Sequence, residues 1–273
     1  MSKSLESFSL KDKVVIITGG TGNLGVDYCA GLLKAGAMVV SWDLNPKTEE
    51  VSKKLKELGA DISKFHNLRV DITNEAEVQS AVKNAVESFG KIDALVNNAA
   101  MNPAVGTEES KKLFVPYEEY PIELWEKELK VNLTGMMICT KAVAPIMMKQ
   151  KSGSIVNVAS EVSNIAHDHR VYNEPNKFKS VAYVTTKTGI LGLTRQWAAR
   201  LGSHNVRVNA FSPGGVQSPN VPQDFAARFG SLNMFGRMAK PGEYNGVIIF
   251  LCSDASSFMT GANLTVDGGK SAW

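Results

Sequence analysis

The chain has 273 residues, of which 44% are hydrophobic and 21% charged, and a formal net charge of +3. This composition is ordinary for a soluble protein with a sizeable core, and the lysines alternate with glutamates instead of forming a basic stripe, which argues against nucleic acid as a partner. We find no run of about 18 apolar residues that could span a bilayer and no apolar signal-peptide core, so we expect a cytoplasmic protein without a membrane partner.

Strand-like and helix-like patterns alternate along the chain. Strands are predicted at 13–18, 37–42, 67–70, 92–99, 153–160, 206–213 and 263–266, and helices at 23–35, 47–59, 74–89, 122–149, 180–201 and 242–252. Continuous apolar strands separated by helices are typical of a parallel sheet that is covered on both faces. We therefore predict the α/β class, as a single doubly wound Rossmann-type domain over residues 1–273 with a mostly parallel, seven-stranded sheet.

The three cysteines, Cys29, Cys139 and Cys252, lie in apolar segments. They show neither the spacing of a redox pair nor that of a metal site. We interpret them as small buried hydrophobes and expect no metal.

Two segments interrupt the compact alternation, at 101–121 and 161–179. Each follows a strand whose carboxyl end should lie at the ligand crevice of a parallel sheet. Loops of this length inside a compact domain are usually functional, and a surface insertion is the alternative.

A glycine-rich turn, "TGGTGNLG" at 18–25, joins the first predicted strand to the first predicted helix. Glycines let the backbone approach a ligand closely, and the free N–H groups at a helix start favour a pyrophosphate. A purely structural turn is the alternative, but the position as the first strand-to-helix turn of an α/β chain favours dinucleotide binding.

Asp43 ends the second predicted strand, 18 residues after Gly25. An acidic side chain at about this distance can bind both ribose hydroxyls of an adenosine and would repel a 2′-phosphate. Leu44 follows, and the glycine turn contains no Lys or Arg, so the sequence favours NAD over NADP. The alternative role for Asp43 is to cap the next helix.

Tyr183 and Lys187 lie four residues apart in a predicted helix and therefore share one face. A tyrosine that must accept a proton near pH 8 needs its pKa lowered by about 2 units, and a neighbouring ammonium can supply this. The pair is either a device for proton transfer or a solvated surface pair.

Several further motifs occur in a fixed order: "VDIT", "NNAA", "KVNLTG", "GSIVNVAS", "YVTTK", "VRVNAFSPGG" and "TGANLTVDGG". Together with the glycine turn they make the chain resemble the short-chain dehydrogenase/reductase family over nearly its whole length. The resemblance implies a hydride-transferring enzyme.

The resemblance also implies a role for each matching residue. Tyr183 would be the acid or base, Lys187 would lower its pKa and hold the nicotinamide ribose, and Ser160 would stabilise the substrate oxygen. Asn132 would orient a water next to Lys187. Asp71 would face the adenine, Asn97 would line the cofactor channel, and the turn at Pro213, Gly214 and Val216 would hold the carboxamide. The implied cofactor-binding residues are Gly19, Thr21, Gly22, Asn23, Leu24, Asp43, Asp71, Ile72, Asn98, Ala99, Tyr183, Lys187, Pro213, Gly214, Val216 and Ser218.

The chain departs from the family pattern in two places. Asn23 stands where most members have a glycine, which gives the T-G-x-x-G-x-x-G pattern of the longer members that act on nucleotide sugars; asparagine tolerates left-handed backbone angles, so phosphate binding should survive. Ser160 and Tyr183 are 23 residues apart, about ten more than in typical members. The enlarged segment contains basic and acidic side chains, including His167, His169 and Lys179, that would suit a hydroxyl-rich or anionic substrate, unless they face solvent.

We therefore predict an NAD-dependent oxidoreductase that interconverts a secondary alcohol and a ketone on a carbohydrate, sugar acid or polysaccharide precursor. One alternative is a reductase of acyl or other ketones, and another is a protein that senses NAD without chemistry. The resemblance also implies a homodimer or homotetramer formed through helices 122–149 and 180–201.

Overall fold

The computed structural model describes residues 3–103, 107–219 and 221–273. Within them lie seven strands: β1 Val14–Thr18, β2 Met38–Asp43, β3 Phe65–Arg69, β4 Ala94–Asn97, β5 Gly153–Val158, β6 Val206–Pro213 and β7 Asn263–Val266. The α-helices are α1 Lys3–Glu6, α2 Asn23–Lys34, α3 Thr48–Glu57, α4 Glu75–Phe89, α5 Glu108–Leu113, α6 Ile122–Leu129, α7 Gly135–Gln150, α8 Val181–Leu201, α9 Gln223–Ser231 and α10 Asn245–Cys252. Seven predicted strands and six predicted helical segments are confirmed, with ends that differ by a few residues.

The strands form one sheet in the order β3-β2-β1-β4-β5-β6-β7, and every pair is parallel. The predicted doubly wound α/β class is confirmed, and the sheet is entirely parallel. Its strand order reverses direction between β1 and β4, where the connections go to opposite sides of the starting strand. In open sheets of this kind, ligands bind outside the carboxyl ends of the strands at such a switch point.

Alternate residues of each strand point to opposite faces and fill two separate cores. Val15 and Ile17 of β1 pack on one face with side chains of α2, α3 and α10. Val14 and Ile16 pack on the other face with side chains of α4, α7 and α8. Burial on both faces explains why these strands read as continuous apolar runs.

The two long segments contain more structure than the sequence predicted. Residues 107–121 include α5 and a short 3₁₀ turn at Tyr117–Glu119, and 161–179 includes 3₁₀ turns at Glu161–Ser163 and His169–Val171; residues 104–106 of the first segment lie outside the described residues. Helix α9 was also missed. Together these elements form a third apolar cluster, the roof, over the carboxyl edge of the sheet. The buried residues of the roof are Leu113, Phe114, Tyr120, Val171, Tyr172, Ala182, Phe225, Phe229 and Met238.

The predicted helix 122–149 is interrupted by a π-helical segment, Lys130–Thr134, between α6 and α7. By length and composition, Ile122–Gln150 could cross a membrane, which corrects the prediction that the chain contains no such run. Cys139, Val143 and Met147 of this stretch are buried against the sheet. We therefore interpret it as a core helix, which passes the same test.

The cysteines behave as predicted. Cys29, Cys139 and Cys252 are buried free thiols. Burial raises the pKa of the Cys139 thiol and that of the Cys252 thiol to about 12. A protonated buried thiol is unreactive and packs as a small apolar group.

Candidate active site

The glycine turn sits at the carboxyl end of β1 and is held there by β4. Gly19 has a φ of +65°, and a Cβ at this position would lie 2.7 Å from Ala99 Cα. A Cβ on Gly25 would lie 2.1 Å from the Gly19 carbonyl oxygen. Only glycine fits these two positions, because the turn folds back on itself and packs directly on the residues that follow β4.

The start of α2 leaves room for a ligand. Thr21, Gly22 and Asn23 are partly or fully exposed, and a Cβ on Gly22 would meet only the Gly19 oxygen, at 3.4 Å. Within the described residues, no side chain caps α2 and no acidic residue lies in its first turn. The free N–H groups and the helix dipole therefore fit the pyrophosphate of a dinucleotide. Asn23 begins the helix and is not among the residues with positive φ, so it needs no left-handed tolerance.

Asp43 and Asn98 brace this turn from both sides. The Asp43 carboxylate accepts hydrogen bonds from the backbone N–H groups of Thr21 (3.2 Å) and Asn45 (3.0 Å). The Asn98 side chain donates to the carbonyl oxygens of Thr18 and Gly19, and the Thr18 hydroxyl accepts from the Ala99 N–H. The carboxylate therefore lies beside the turn, where a ribose would follow the pyrophosphate, and it can still accept hydroxyl donors.

Asp71 and Ile72 form the adjacent wall. Burial opposes ionisation of Asp71, but hydrogen bonds from Thr73 and the charges of Lys130 and Arg69 outweigh it and lower the pKa of the carboxyl. Ile72 packs so closely on α7 that a Cβ on Gly135 would lie 2.7 Å from Ile72 Cδ1. Both residues are thus held at the edge of the crevice.

Asn97 does not line the channel, contrary to the prediction. It is 1% exposed, and its amide donates to Thr140 Oγ1 (3.1 Å) and Asn157 Oδ1 (2.9 Å). These partners belong to α7 and β5, so the side chain points into the core.

Ser160, Tyr183 and Lys187 come together where β5 ends beside α8. The Ser160 hydroxyl lies close enough to the Tyr183 phenol to influence its pKa. Lys187 Nζ lies 5.7 Å from the centroid of the Tyr183 ring and donates to the Val158 carbonyl oxygen at 2.6 Å. Ser160 and Tyr183 are each 9% exposed and Lys187 is 3% exposed. The three groups therefore form a nearly dry site for proton transfer.

Burial dominates the electrostatics of this site. It raises the pKa of the Tyr183 phenol, while the Ser160 hydroxyl acts in the opposite direction. Burial, together with the charge of Lys179, lowers the pKa of Lys187 to about 7. The predicted lowering of the Tyr183 pKa is therefore not met in this structure, and a neutral phenol suits the role of proton donor.

Asn132 lies in the π-helical segment, 1% exposed. Its side-chain oxygen accepts from the Met101 N–H at 2.6 Å, and its amide nitrogen lies 3.4 Å from Thr186 Oγ1. Asn132 thus connects the loop after β4 to the residue that precedes Lys187. π-Helical turns occur frequently at functional sites, because the extra residue redirects side chains and carbonyl groups.

The loop after β6 completes the crevice. Gly214 donates its N–H to the Val266 oxygen, and a Cβ there would lie 3.0 Å from Glu161 Oε2. Val216 forms a β-bridge with Ala239, and the Ser218 carbonyl oxygen accepts from the Val221 N–H. These backbone contacts set the course of the turn that begins at Pro213. The predicted carboxamide-binding turn therefore lies against the residue that follows Ser160.

Two buried groups beside the site were not predicted. Glu161 forms an ion pair with Lys270 at 2.8 Å, both side chains being 4–5% exposed. Glu128, 1% exposed, accepts hydrogen bonds from the Ser180 hydroxyl (2.6 Å) and from Tyr120. Ser180 in turn accepts from the Tyr183 N–H and caps α8. The serine directly before a helical pattern was a usable signal for this cap; Glu128 and Lys270 gave none.

The two long segments meet above Tyr183. Tyr117 Oη and His169 Nε2 lie 2.9 Å apart, and the His169 ring packs on Phe178. Lys179 follows, with its Nζ 4.3 Å from the centroid of the Tyr183 ring. Both segments therefore belong to the site, as predicted from their position after β4 and β5.

The chain is similar to known proteins over almost its full length. A family model described as "Enoyl-(Acyl carrier protein) reductase" matches residues 22–271. The 3-oxoacyl-[acyl-carrier-protein] reductase FabG of Thermotoga maritima is 34% identical, over 95% of this chain and 98% of the relative. The trans-4-hydroxycyclohexanecarboxylate dehydrogenase of Sinomonas cyclohexanicum is also 34% identical, over 96% and 93%. A crystal structure of NAD⁺-bound xylitol dehydrogenase superposes with a TM-score of 0.80 at 31% identity, covering 95% of this chain and 99% of that one.

The parallel sheet, the glycine turn at its switch point and the Ser160, Tyr183 and Lys187 cluster define a dinucleotide-binding oxidoreductase. With the family model matching residues 22–271, the chain belongs to the short-chain dehydrogenase/reductase family. It is an enzyme that uses a nicotinamide dinucleotide to interconvert a secondary alcohol and a ketone.

Proposed function

We propose that this enzyme uses NAD and acts on a polar, polyhydroxylated substrate, either a carbohydrate or a sugar acid, with Tyr183 as the proton-transferring group. The observation that carries the proposal is the buried cluster of Ser160, Tyr183 and Lys187, next to an edge that bears Asp43. When bound, the nicotinamide ring supplies the hydride or accepts it. The glycine turn, Asp71, Asn98 and the turn from Pro213 to Ser218 would hold the dinucleotide.

The chain's own residues account for the proton. In the reductive direction Tyr183 gives its phenolic proton to the ketone oxygen, and the Ser160 hydroxyl stabilises the charge that develops there. Lys187 compensates the phenolate left on Tyr183, and Asn132 positions the helix turn that carries Thr186 and Lys187. In the oxidative direction the phenolate accepts the hydroxyl proton. Because burial favours the neutral phenol, oxidation requires a higher pH than reduction does.

A polar substrate is supported by the groups around Tyr183. His167 has two buried ring nitrogens without a hydrogen-bond partner, and Glu161 Oε2 is likewise unpaired in the described residues. Buried polar atoms of this kind cost free energy unless a ligand satisfies them. The similarity to the xylitol dehydrogenase agrees with such a substrate.

A ketone on an apolar ring or acyl chain is the second candidate. The roof places aromatic side chains above the site, and the rings of Tyr172 and Phe225 stack 5.8 Å apart. The similarities to FabG and to the hydroxycyclohexanecarboxylate dehydrogenase agree with this candidate. An aromatic surface also packs against the C–H face of a sugar, so the roof alone does not decide between the two.

A substrate panel tests the proposal. We expect NAD reduction with members of a panel made of xylitol, xylonate, 4-methylcyclohexanol and 4-hydroxycyclohexanecarboxylate, measured by absorbance of the reduced cofactor. Turnover of 4-methylcyclohexanol alone would favour the second candidate. No turnover of any member with NAD or NADP would contradict the proposed function.

The preference for NAD is assigned to Asp43. We expect Asp43→Asn to lower the ratio of kcat/KM for NAD to that for NADP by about tenfold, because removing the charge ends its repulsion of a 2′-phosphate and weakens its bonds to the ribose. Asparagine keeps one acceptor for the Thr21 N–H, so the turn should survive. Asp61→Asn, which changes an exposed carboxylate at a 3₁₀ turn, is the control. An unchanged ratio would remove Asp43 from the cofactor site.

Cytoplasmic location and a homo-oligomer complete the proposal. The π-helical segment, α7 and α8 form a shallow apolar groove, lined by Leu133, Thr134, Met137, Gly189, Gly192, Leu193 and Gln196. A Cβ on Gly192 would meet nothing within 4 Å, so the backbone of a second copy could approach it. Light scattering would reveal a dimer or tetramer that Met137→Glu dissociates; a wild-type monomer would contradict this part.

A further inference from the structure

Lys179 is a buried ammonium group that the proposed mechanism does not use. Its side chain enters the site from the enlarged segment before α8, and the residue is only 9% exposed. Its Nζ lies between two aromatic rings, 4.3 Å from the Tyr183 centroid and 4.7 Å from the Phe114 centroid. The tyrosine thus has lysines four residues before it and four residues after it.

The charge of Lys179 has no direct counter-ion in the described part of the chain. Its one hydrogen-bond partner there is a neutral group, Asn102 Oδ1, at 2.5 Å. Glu161 and Glu128 influence it through their charges, but Glu161 is paired with Lys270 and Glu128 is bonded to Ser180 and Tyr120. A buried ammonium needs an anion or several acceptors to offset its desolvation.

The side chains around Lys179 do not give its buried ammonium group a structural role. The segment's other lysine, Lys177, is paired with Glu174 at 2.6 Å. His167, whose charge state is influenced by Lys179, presents unpaired ring nitrogens in the same region. A cation, a neutral imidazole and aromatic walls beside the reacting phenol make a receptor for one carboxylate on a molecule that also carries the hydroxyl or keto group.

We propose that Lys179 binds the carboxylate of the substrate, so that the preferred substrate is a hydroxy acid or keto acid and not a neutral polyol. This inference rests on the proposed function and narrows its substrate class. Asn102 holds the ammonium in place while the site is open. When the substrate binds, its carboxylate supplies the hydrogen-bond acceptors that the ammonium lacks. The position of the ammonium relative to Tyr183 then selects which hydroxyl is oxidised.

The test compares acids with matched neutral alcohols. We expect the wild-type enzyme to prefer xylonate over xylitol, or 4-hydroxycyclohexanecarboxylate over 4-methylcyclohexanol. Lys179→Met should lower kcat/KM for the acid by about 30-fold or more, through KM, and change the alcohol by less than about threefold, because truncating one partner of a buried charge pair is costly. Lys177→Met is the control and should change neither.

A second variant avoids removing the buried side chain. Asn102→Asp changes an exposed residue and places a carboxylate on Lys179 Nζ. We expect it to abolish the acid preference as Lys179→Met does, because the ammonium is then neutralised from within. Turnover of the neutral alcohol, measured for each protein at its own optimum pH, should stay within about threefold of the wild-type value.

The outcomes separate the two proposals. Equal losses on acid and alcohol, each measured at the optimum pH of the variant, would show that Lys179 acts on the proton-transferring groups and would overturn the inference while leaving the proposed function intact. A wild-type enzyme without acid preference would overturn it as well. If no panel member is turned over, calorimetry of both acids with the NAD-bound protein decides. Binding to the wild type that Lys179→Met abolishes supports the inference. Equal binding to both proteins, or no binding to the wild type, overturns it.

Discussion

Tyr183→Phe should reduce turnover by a factor on the order of 10³ or more while NAD binding stays nearly unchanged. The substitution removes one oxygen atom, the only group on this side chain that can exchange a proton. The ring keeps its packing under Lys179 and beside Lys187, so the shape of the site is retained. The loss should therefore appear in kcat, measured by single-turnover kinetics, and not in the dissociation constant of NAD, measured by calorimetry.

Tyr28→Phe is the matched control for this experiment. Tyr28 belongs to α2 and is 1% exposed in the core, and its hydroxyl has no hydrogen-bond partner in the described residues. Removing that hydroxyl should leave kcat within about twofold of the wild-type value, because no bond is lost. If Tyr183→Phe retained a tenth or more of the wild-type turnover, Tyr183 would not be the proton-transferring group.

The elements that could be predicted are those encoded locally. Tyr183 and Lys187 are one helical turn apart, so their shared face follows from the spacing alone. The alternation of strands and helices likewise predicted all seven strands. Ser160 is a different case, because 23 residues separate it from Tyr183 and only the family resemblance brought the two together.

Some elements were missed although the sequence contained a signal. Helix α9 follows Pro222, and Phe225 and Phe229 are buried at a spacing of four, a pattern typical of an amphipathic helix. Helix α5 is only six residues long, too short for periodicity to reveal it. The π-helical turn at Asn132 depends on contacts with Met101 and Thr186, which are 31 and 54 positions away.

Buried charges were the hardest feature to foresee. Lys270 and Glu161 pair across 109 positions, and neither sits in a pattern that indicates burial. In the sequence, Lys179 is one of several basic residues in a polar insertion. What distinguishes it is the environment supplied by Phe114, Asn102 and Tyr183, and that environment exists only after β4, α5 and α8 have assembled. Pairing of buried groups is a tertiary property that composition does not report.

Lys187→Met should abolish turnover and at the same time stabilise the protein at pH 6. The folded protein lowers the pKa of Lys187 to about 7, chiefly by burial, whereas an unfolded chain keeps it near 10.4. The folded state therefore holds this proton less firmly, and below pH 7 the buried charge costs about 5 kcal/mol of unfolding free energy. Methionine has a similar shape and no charge to desolvate, although it leaves the Val158 oxygen without its donor.

The stability difference between Lys187→Met and the wild type should depend on pH. A lowered pKa in the folded state means that the cost is fully present below pH 7 and disappears as the pH rises towards the unfolded value, so wild-type stability should approach that of Lys187→Met between pH 7 and about 10. Urea titrations at pH 6 and pH 9.5 measure the difference. Lys141→Met is the control, because that lysine is exposed and pairs with Glu75, and it should change stability by less than about 0.5 kcal/mol at either pH.

A Lys187→Met protein that is less stable than the wild type at pH 6 would mean that the bond to Val158 outweighs the cost of burying the charge. The gain expected here has a plain physical origin: the ammonium is kept beside Tyr183 because proton transfer needs it, at the expense of folding stability.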